Sequence, residues 1–149
     1  MRLIDQTLLP ARLEVIECAT VDSLVKAIKT MQIRGAPAIG VAGAMGVALS
    51  LIRGIEEELT PKQLEEKIHK DAHELSDARP TAVNLAWGVE SALDFLKSLP
   101  QSMEPKEESE RLIQFVKDLA DKDVDANKTL SKLGQKLIHD NSSVLTHCN

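Results

Sequence analysis

The 149-residue sequence contains no tyrosine, two phenylalanines and one tryptophan, and its net charge is −5. Nucleic-acid-binding proteins present a basic face, and single-strand binders add stacking aromatics. An acidic chain this poor in rings argues against a nucleic-acid partner. Cysteine is equally scarce: Cys18 and Cys148 stand far apart and form neither a CxxC pair nor a disulfide framework. That usage fits a reducing cytoplasm better than a secreted scaffold. The start, Met1-Arg2-Leu3-Ile4-Asp5, lacks the apolar core of a signal peptide. Long apolar runs are missing too. Ala36 to Ile52 is free of charge, but it falls short of the ~20 residues a spanning helix needs, so it reads as a buried core helix and no membrane partner is expected. What is present is ample hydrophobic material, 43% of the chain, enough to exclude compositional disorder and to build one domain with a real core.

The chain is organised around Arg34-Gly35-Ala36-Pro37-Ala38-Ile39-Gly40. Pro37 reads as the first helical residue, because its fixed φ suits a helix start and its missing N–H would have had no partner there. Ala36, standing before a proline, is pushed towards an extended conformation. Gly35 frees the backbone to bend, so that the amides of Gly35, Ala36, Ala38 and Ile39 can converge. Unpaired N–H groups and the positive end of a helix dipole favour a phosphate, and Arg34 adds a charged bidentate donor. An ordinary capped helix with an arginine in front of it accounts for these seven residues equally well.

Upstream, Arg2 to Leu9 and Leu13 to Cys18 predict two short strands joined through Pro10-Ala11-Arg12, a hairpin in which Cys18 is a small core residue. Thr20 or Asp22 can cap a helix carrying Val21, Leu24, Val25, Ile28 and Met31 at helical spacing. The helix from Pro37 to about Arg53 places Gly40, Gly43 and Gly46 three apart, a row that lets another backbone approach closely, and Gly54 is a candidate stop.

Thr60-Pro61 opens a further helix with Leu64, Ile68, Ala72 and Leu75 as its buried stripe. His69 and His73 have metal-ligand spacing, but Glu65, Glu66, Lys67, Lys70 and Asp71 around them describe a solvated face, so no metal is expected. Then the opening device recurs. Arg79-Pro80-Thr81-Ala82-Val83-Asn84-Leu85-Ala86-Trp87 puts an arginine before a proline-started helix running to about Lys97. Two such starts can converge on one anion. Asn84 and Trp87 can line that pocket, or Trp87 can be core.

Leu99 to Ser109 is a polar linker, and Glu107 to His139 a long amphipathic helix with Leu112, Val116, Leu119, Ala126, Leu130, Leu133 and Leu137 on one stripe and a candidate break near Asp121 to Asp125. Residues 142–149, ending Leu145-Thr146-His147-Cys148-Asn149, predict a short strand whose tip carries polar and reactive groups, where ligands sit in open α/β sheets. The expected domains are therefore a helical unit over residues 1–140, with the hairpin at 1–19, and at 141–149 the first strand of an α/β domain of which the rest is absent.

Four stretches taken together, Leu3-Ile4-Asp5-Gln6-Thr7-Leu8-Leu9-Pro10, the RGAPAIG run from Arg34, the RPTAVNLAW run from Arg79 and LTHCN from Leu145, resemble the aldose–ketose isomerase branch of the initiation-factor 2B-like superfamily. The resemblance implies a mostly α N-terminal domain with a small antiparallel β-sheet, whose last strand begins a Rossmann-like α/β domain. It implies isomerisation of 5-methylthioribose 1-phosphate to 5-methylthioribulose 1-phosphate in methionine salvage, without a cofactor, by a homodimer. Carried over by motif, Arg34, Gly35, Ala36 and Arg79 would bind substrate and Cys148 would be catalytic, while a catalytic aspartate would lie in the missing domain; by its position His147 can tune Cys148 or be structural. A ribose-1,5-bisphosphate isomerase shares LTHCN and Arg-Pro-Thr, and a non-catalytic regulatory subunit of the superfamily would bind a partner protein instead.

Overall fold

Residues 1–147 are described by the structure, a computed structural model. It opens on a two-stranded antiparallel sheet in which β1 (Arg2–Ile4) pairs with β2 (Val15–Glu17), Leu3 opposite Ile16. The strands are shorter than the two runs of the sequence suggest. The cause is Asp5, whose carboxylate accepts the Thr7 amide and hydroxyl and so winds Gln6–Leu8 into a 3-10 turn. Short polar side chains that bond nearby backbone compete with strand pairing in this way.

Helix α1 (Val21–Lys29) is capped by Thr20, not Asp22, in a reciprocal box with Ser23. Met31 is not on its buried stripe. It sits beyond the helix end at φ 59, with Met31 N–H donating to Ile28 and Gln32 N–H to Ala27, the bond pattern of a Schellman motif in which glycine is the usual occupant.

Helix α2 (Ala36–Glu56) is the centre of the bundle and packs against α1, α3, α4 and α5. It is long and apolar enough to span a membrane by composition, and 61% of its most apolar window is buried inside the bundle, as expected of a core helix. Its small residues let neighbours close in on several sides. Gly43 lies under Leu85 and Val89, and Gly46 under Leu75 and Leu24. Gly54 is not the stop: it is buried within the helix beneath Leu64. The helix ends instead in a second Schellman turn with Glu58 at φ 53 and the Leu59 N–H donating to the Gly54 carbonyl at 3.1 Å.

Helix α3 (Pro61–Asp77) starts with a Thr60–Gln63 capping box and buries Leu64, Ala72 and Leu75. It also buries Asp71, which accepts the Ser50 hydroxyl of α2 at 2.6 Å and lies 3.4 Å from Lys67. A polar pair between two core helices is tolerated because each member is satisfied. Helix α4 (Val83–Ser98) and helix α5 (Pro105–Gly134) complete the bundle, with Phe95 stacked on Phe115 at 4.4 Å between ring centres. The linker is thus shorter than expected, and α5 runs unbroken through Asp121 to Asp125.

Leu24, Ile28, Leu51, Leu75, Leu85 and Leu112 are fully buried, each worth about 1.5–3 kcal/mol of apolar burial. From Leu130 onward the predicted stripe of α5 is exposed. Residues 142–147 form no strand, since a strand needs a neighbour to take its N–H and C=O groups and no neighbour reaches them here.

Candidate functional site

The loop before α2 is held from below by the hairpin. Gln32 donates its side-chain amide to the Asp5 carboxylate at 2.7 Å, and the Gln6 backbone N–H donates to the Gln32 carbonyl at 3.0 Å. Hydrogen bonds from Thr7 and then Gln32 hold the Asp5 carboxyl below its ordinary range, because donors aimed at the charged form favour it. Neither Gln32 nor this use of Asp5 was legible as part of the site from the sequence; the two lie 27 residues apart.

Gly35 is the N-cap of α2, at φ 96 and ψ 128, and no side chain caps the helix. A Cβ on Gly35 would meet nothing within 4 Å, so the backbone conformation, not crowding, calls for glycine. The helix begins at Ala36 and Pro37 is its second residue, one position earlier than the sequence suggested. Ala36, Pro37 and Ala38 are exposed. The first amides of a helix have no intrahelical acceptors, so Ala36 and Ala38 present donors at the positive pole of a long helix dipole, whereas the Ile39 N–H, expected to join them, donates to the Gly35 carbonyl at 3.0 Å. Arg34, half-buried, has no hydrogen bond or ion pair from its side chain among the described residues.

Arg79 differs from expectation. It does not precede a proline-started helix: Pro80 and Thr81 occupy a β-turn closed by the Ala82 N–H donating to the Arg79 carbonyl at 2.9 Å, and α4 begins only at Val83. Proline at the second position of a turn is as well matched as at a helix start. The Arg79 side chain is also half-buried and without a partner among the described residues.

What joins the two motifs is a crossing of α2 and α4. The Gly40 carbonyl occupies the place where Gly88 would carry a Cβ, and a Cβ on Gly40 would lie 2.9 Å from the Asn84 carbonyl oxygen. Gly40 is in the second turn of α2, and Asn84 and Gly88 are in the first two turns of α4. Both helix starts, with Arg34 and Arg79 just ahead of them, therefore flank one point of backbone contact. Gly88 went unnoticed in the sequence; its only signal is a lone glycine inside a helical pattern. Trp87 is 50% and Val83 77% exposed, so Trp87 is not core, and the two form an apolar step beside the crossing.

Cys148 lies outside the described residues. Cys18 is buried and its thiol is pushed up by desolvation, the opposite of an activated thiolate. His69 and His73 are exposed, His73 pairing with Asp77 at 3.2 Å. No three metal-ligating side chains gather among the described residues. Two clefts, of about 680 and 350 Å³, lie elsewhere and include neither Arg34 nor Arg79 in their walls.

The candidate site thus consists of two guanidiniums without partners among the described residues, an uncapped helix start and a glycine crossing. Comparison with known proteins supplies the family. The Initiation factor 2 subunit family matches residues 32–149, and the chain belongs to it. The Herpetosiphon aurantiacus protein named methylthioribose-1-phosphate isomerase is 38% identical over 147 residues, covering 99% of this chain and 41% of that protein. Among solved structures, 5-methylthioribose 1-phosphate isomerase from Pyrococcus horikoshii superposes with a TM-score of 0.79 at 30% identity, over 92% of this chain and 38% of that one. The translation initiation factor eIF-2B subunit delta from A. fulgidus superposes at 0.83 with 41% identity, over 99% and 42%. The mostly helical fold with its small antiparallel sheet is thus that of the corresponding part of these proteins, and the chain spans about two fifths of their length.

Proposed function

We propose that this chain is the substrate-phosphate-holding part of an aldose–ketose isomerase that converts 5-methylthioribose 1-phosphate into 5-methylthioribulose 1-phosphate, a step of methionine salvage. The observation that carries the reading is the pair of unpartnered arginines, Arg34 and Arg79, flanking the Gly40–Gly88 crossing. The name of the Herpetosiphon relative and of the Pyrococcus structure supports it.

In this reading Arg34, the amides at Gly35 and Ala36, and Arg79 hold the phosphate and fix the sugar's anomeric end. With the anomeric oxygen esterified the ring does not open unaided. Opening needs a proton on the ring oxygen, after which the C2 hydrogen leaves as a proton, one is returned to C1, and the C2 hydroxyl becomes the carbonyl. Proton transfer at neighbouring carbons calls for an acid–base pair and for stabilisation of an enediolate. Cys148 is proposed as one of these groups, with His147 next to it in sequence. A Rossmann-like α/β domain beginning near residue 141 would supply an aspartate as the other, and the apolar stripe of Leu130, Leu133 and Leu137, exposed here, is the surface such a domain would cover. We infer further that the whole protein works in the cytoplasm as a homodimer.

The test has two arms. Intact mass of material purified from its native source shows whether a second polypeptide or a longer chain carries the rest of the active site, and that material is assayed with 5-methylthioribose 1-phosphate and with ribose 1,5-bisphosphate. Turnover of the first alone is expected, reduced at least about a hundredfold in Arg34→Ala or Arg79→Ala by loss of phosphate positioning. Turnover of neither sugar, with capture of a translation-factor subunit instead, would favour the non-catalytic reading, in line with the similarity to the A. fulgidus initiation-factor subunit.

A further inference from the structure

We propose that the cleft walled by α3, α4 and the start of α5 binds an organic cation with an apolar body, such as a hydrophobic primary amine. The cleft has a volume of about 680 Å³, within the range of ordinary small-molecule sites, roughly 300–1,000 Å³. Its floor is aliphatic: Leu51, Leu64, Ile68, Leu93, Leu96 and Met103 line it. Its rim is acidic, with Glu65 from α3 and Glu104 and Glu108 from the start of α5.

None of the three carboxylates has an ion-pair partner among the described residues. Two basic side chains share the lining: Lys97 lies 3.3 Å from Asp94 and is engaged there, and the exposed His69 makes no ion pair with the three carboxylates. On α3 the lysines are likewise taken, Lys62 by Glu66 and Lys67 by Asp71. Glu104, although it stands at the N-cap of α5, makes no capping bond, so its carboxylate is not committed to the helix end. Burial pushes the Glu108 carboxyl above its ordinary range, the mark of a carboxylate that has lost water and gained no partner.

These features select the ligand's chemistry. An anion would meet three like charges, and a neutral apolar molecule would fill the floor while stripping water from carboxylates it cannot satisfy. An ammonium group donates charge-assisted hydrogen bonds to the rim while its hydrocarbon body covers the leucines. The cleft shares no residue with the Arg34 and Arg79 loops, so this site stands independently of the isomerase reading.

The probe is 4-phenylbutylamine, compared with 4-phenylbutanol and 4-phenylbutyrate by calorimetry and by chemical-shift mapping on the chain. The amine should bind saturably with shifts centred on Ile68, Leu93, Leu96 and Met103. The alcohol should bind about tenfold more weakly and the carboxylate not at all. Glu65→Gln and Glu108→Gln, both isosteric, should each weaken the amine several-fold without changing alcohol binding. Equal binding of amine and alcohol, shifts centred elsewhere, or no saturation by the amine would overturn the proposal, and because that comparison uses the unsubstituted chain it does not depend on how the variants fold.

Discussion

Gly88 in α4 and Gly134 at the end of α5 are both helical glycines, yet the Gly40 backbone sits where a Cβ of Gly88 would be, whereas a Cβ on Gly134 would meet nothing within 4 Å. The same contrast runs through the surroundings of each. The α2–α4 crossing is packed backbone to backbone, while the distal half of α5 carries a regular apolar stripe that touches little, with Leu130 71% and Leu133 64% exposed. Glycine and leucine periodicities therefore say which face of a helix is prepared for contact. They do not say whether the contact is made within the chain.

Substitutions can break this comparison at either end. Gly88→Ala should cost about 4 kcal/mol or abolish the cooperative transition, since a backbone carbonyl cannot swing aside as a side chain can; urea denaturation checks it. Gly134→Ala, in the same assay, should stabilise by about 0.5 kcal/mol. On the leucine stripe, Leu112→Ala removes a fully buried side chain and should cost about 3 kcal/mol. Leu130→Ala should stay within about 0.5 kcal/mol of the parent, and a large loss there would mean that the distal stripe is covered in solution.

Acid sharpens the comparison on the hairpin side. Because the folded Asp5 carboxyl lies below its ordinary value of 3.8, its contribution is fully present above that value and is lost as pH falls through the folded one. The parent should lose more stability between pH 5 and pH 2 than Asp5→Asn does, read as the shift in denaturation midpoint with pH. A gain is also expected at the end of α2: Glu58→Gly relieves a left-handed residue and should raise stability by about 1 kcal/mol.

Helices α1 to α5 were legible because their signals are local. Thr20 and Thr60 announce their caps within three residues, and Leu64, Ala72 and Leu75 repeat at helical spacing. The errors share a cause as well. Asp5 ended β1 through a side-chain bond, Pro80 chose a turn over a helix start, Met31 left the stripe of α1 to close it, and α2 ran past Gly54 to close at Glu58. In each, two local conformations of similar energy compete and tertiary contacts decide. Of the candidate site, Arg34 and Gly35 could be read from the motif alone. Gln32 and Gly88 could not, since their roles consist of contacts with Asp5 and Gly40, distant in sequence.

The Gln32–Asp5 bond has a mechanical meaning. Arg34 is two residues from Gln32, and Gln32 is moored to a hairpin that is itself tied along β1 and β2. The guanidinium thus takes its bearing from the first residues of the chain as well as from the helix it precedes. A change confined to the hairpin, such as Asp5→Ala, would leave every residue of the arginine loop in place chemically and yet unmoor it, so that on the proposed reading anion affinity would report how the N-terminal strand is seated.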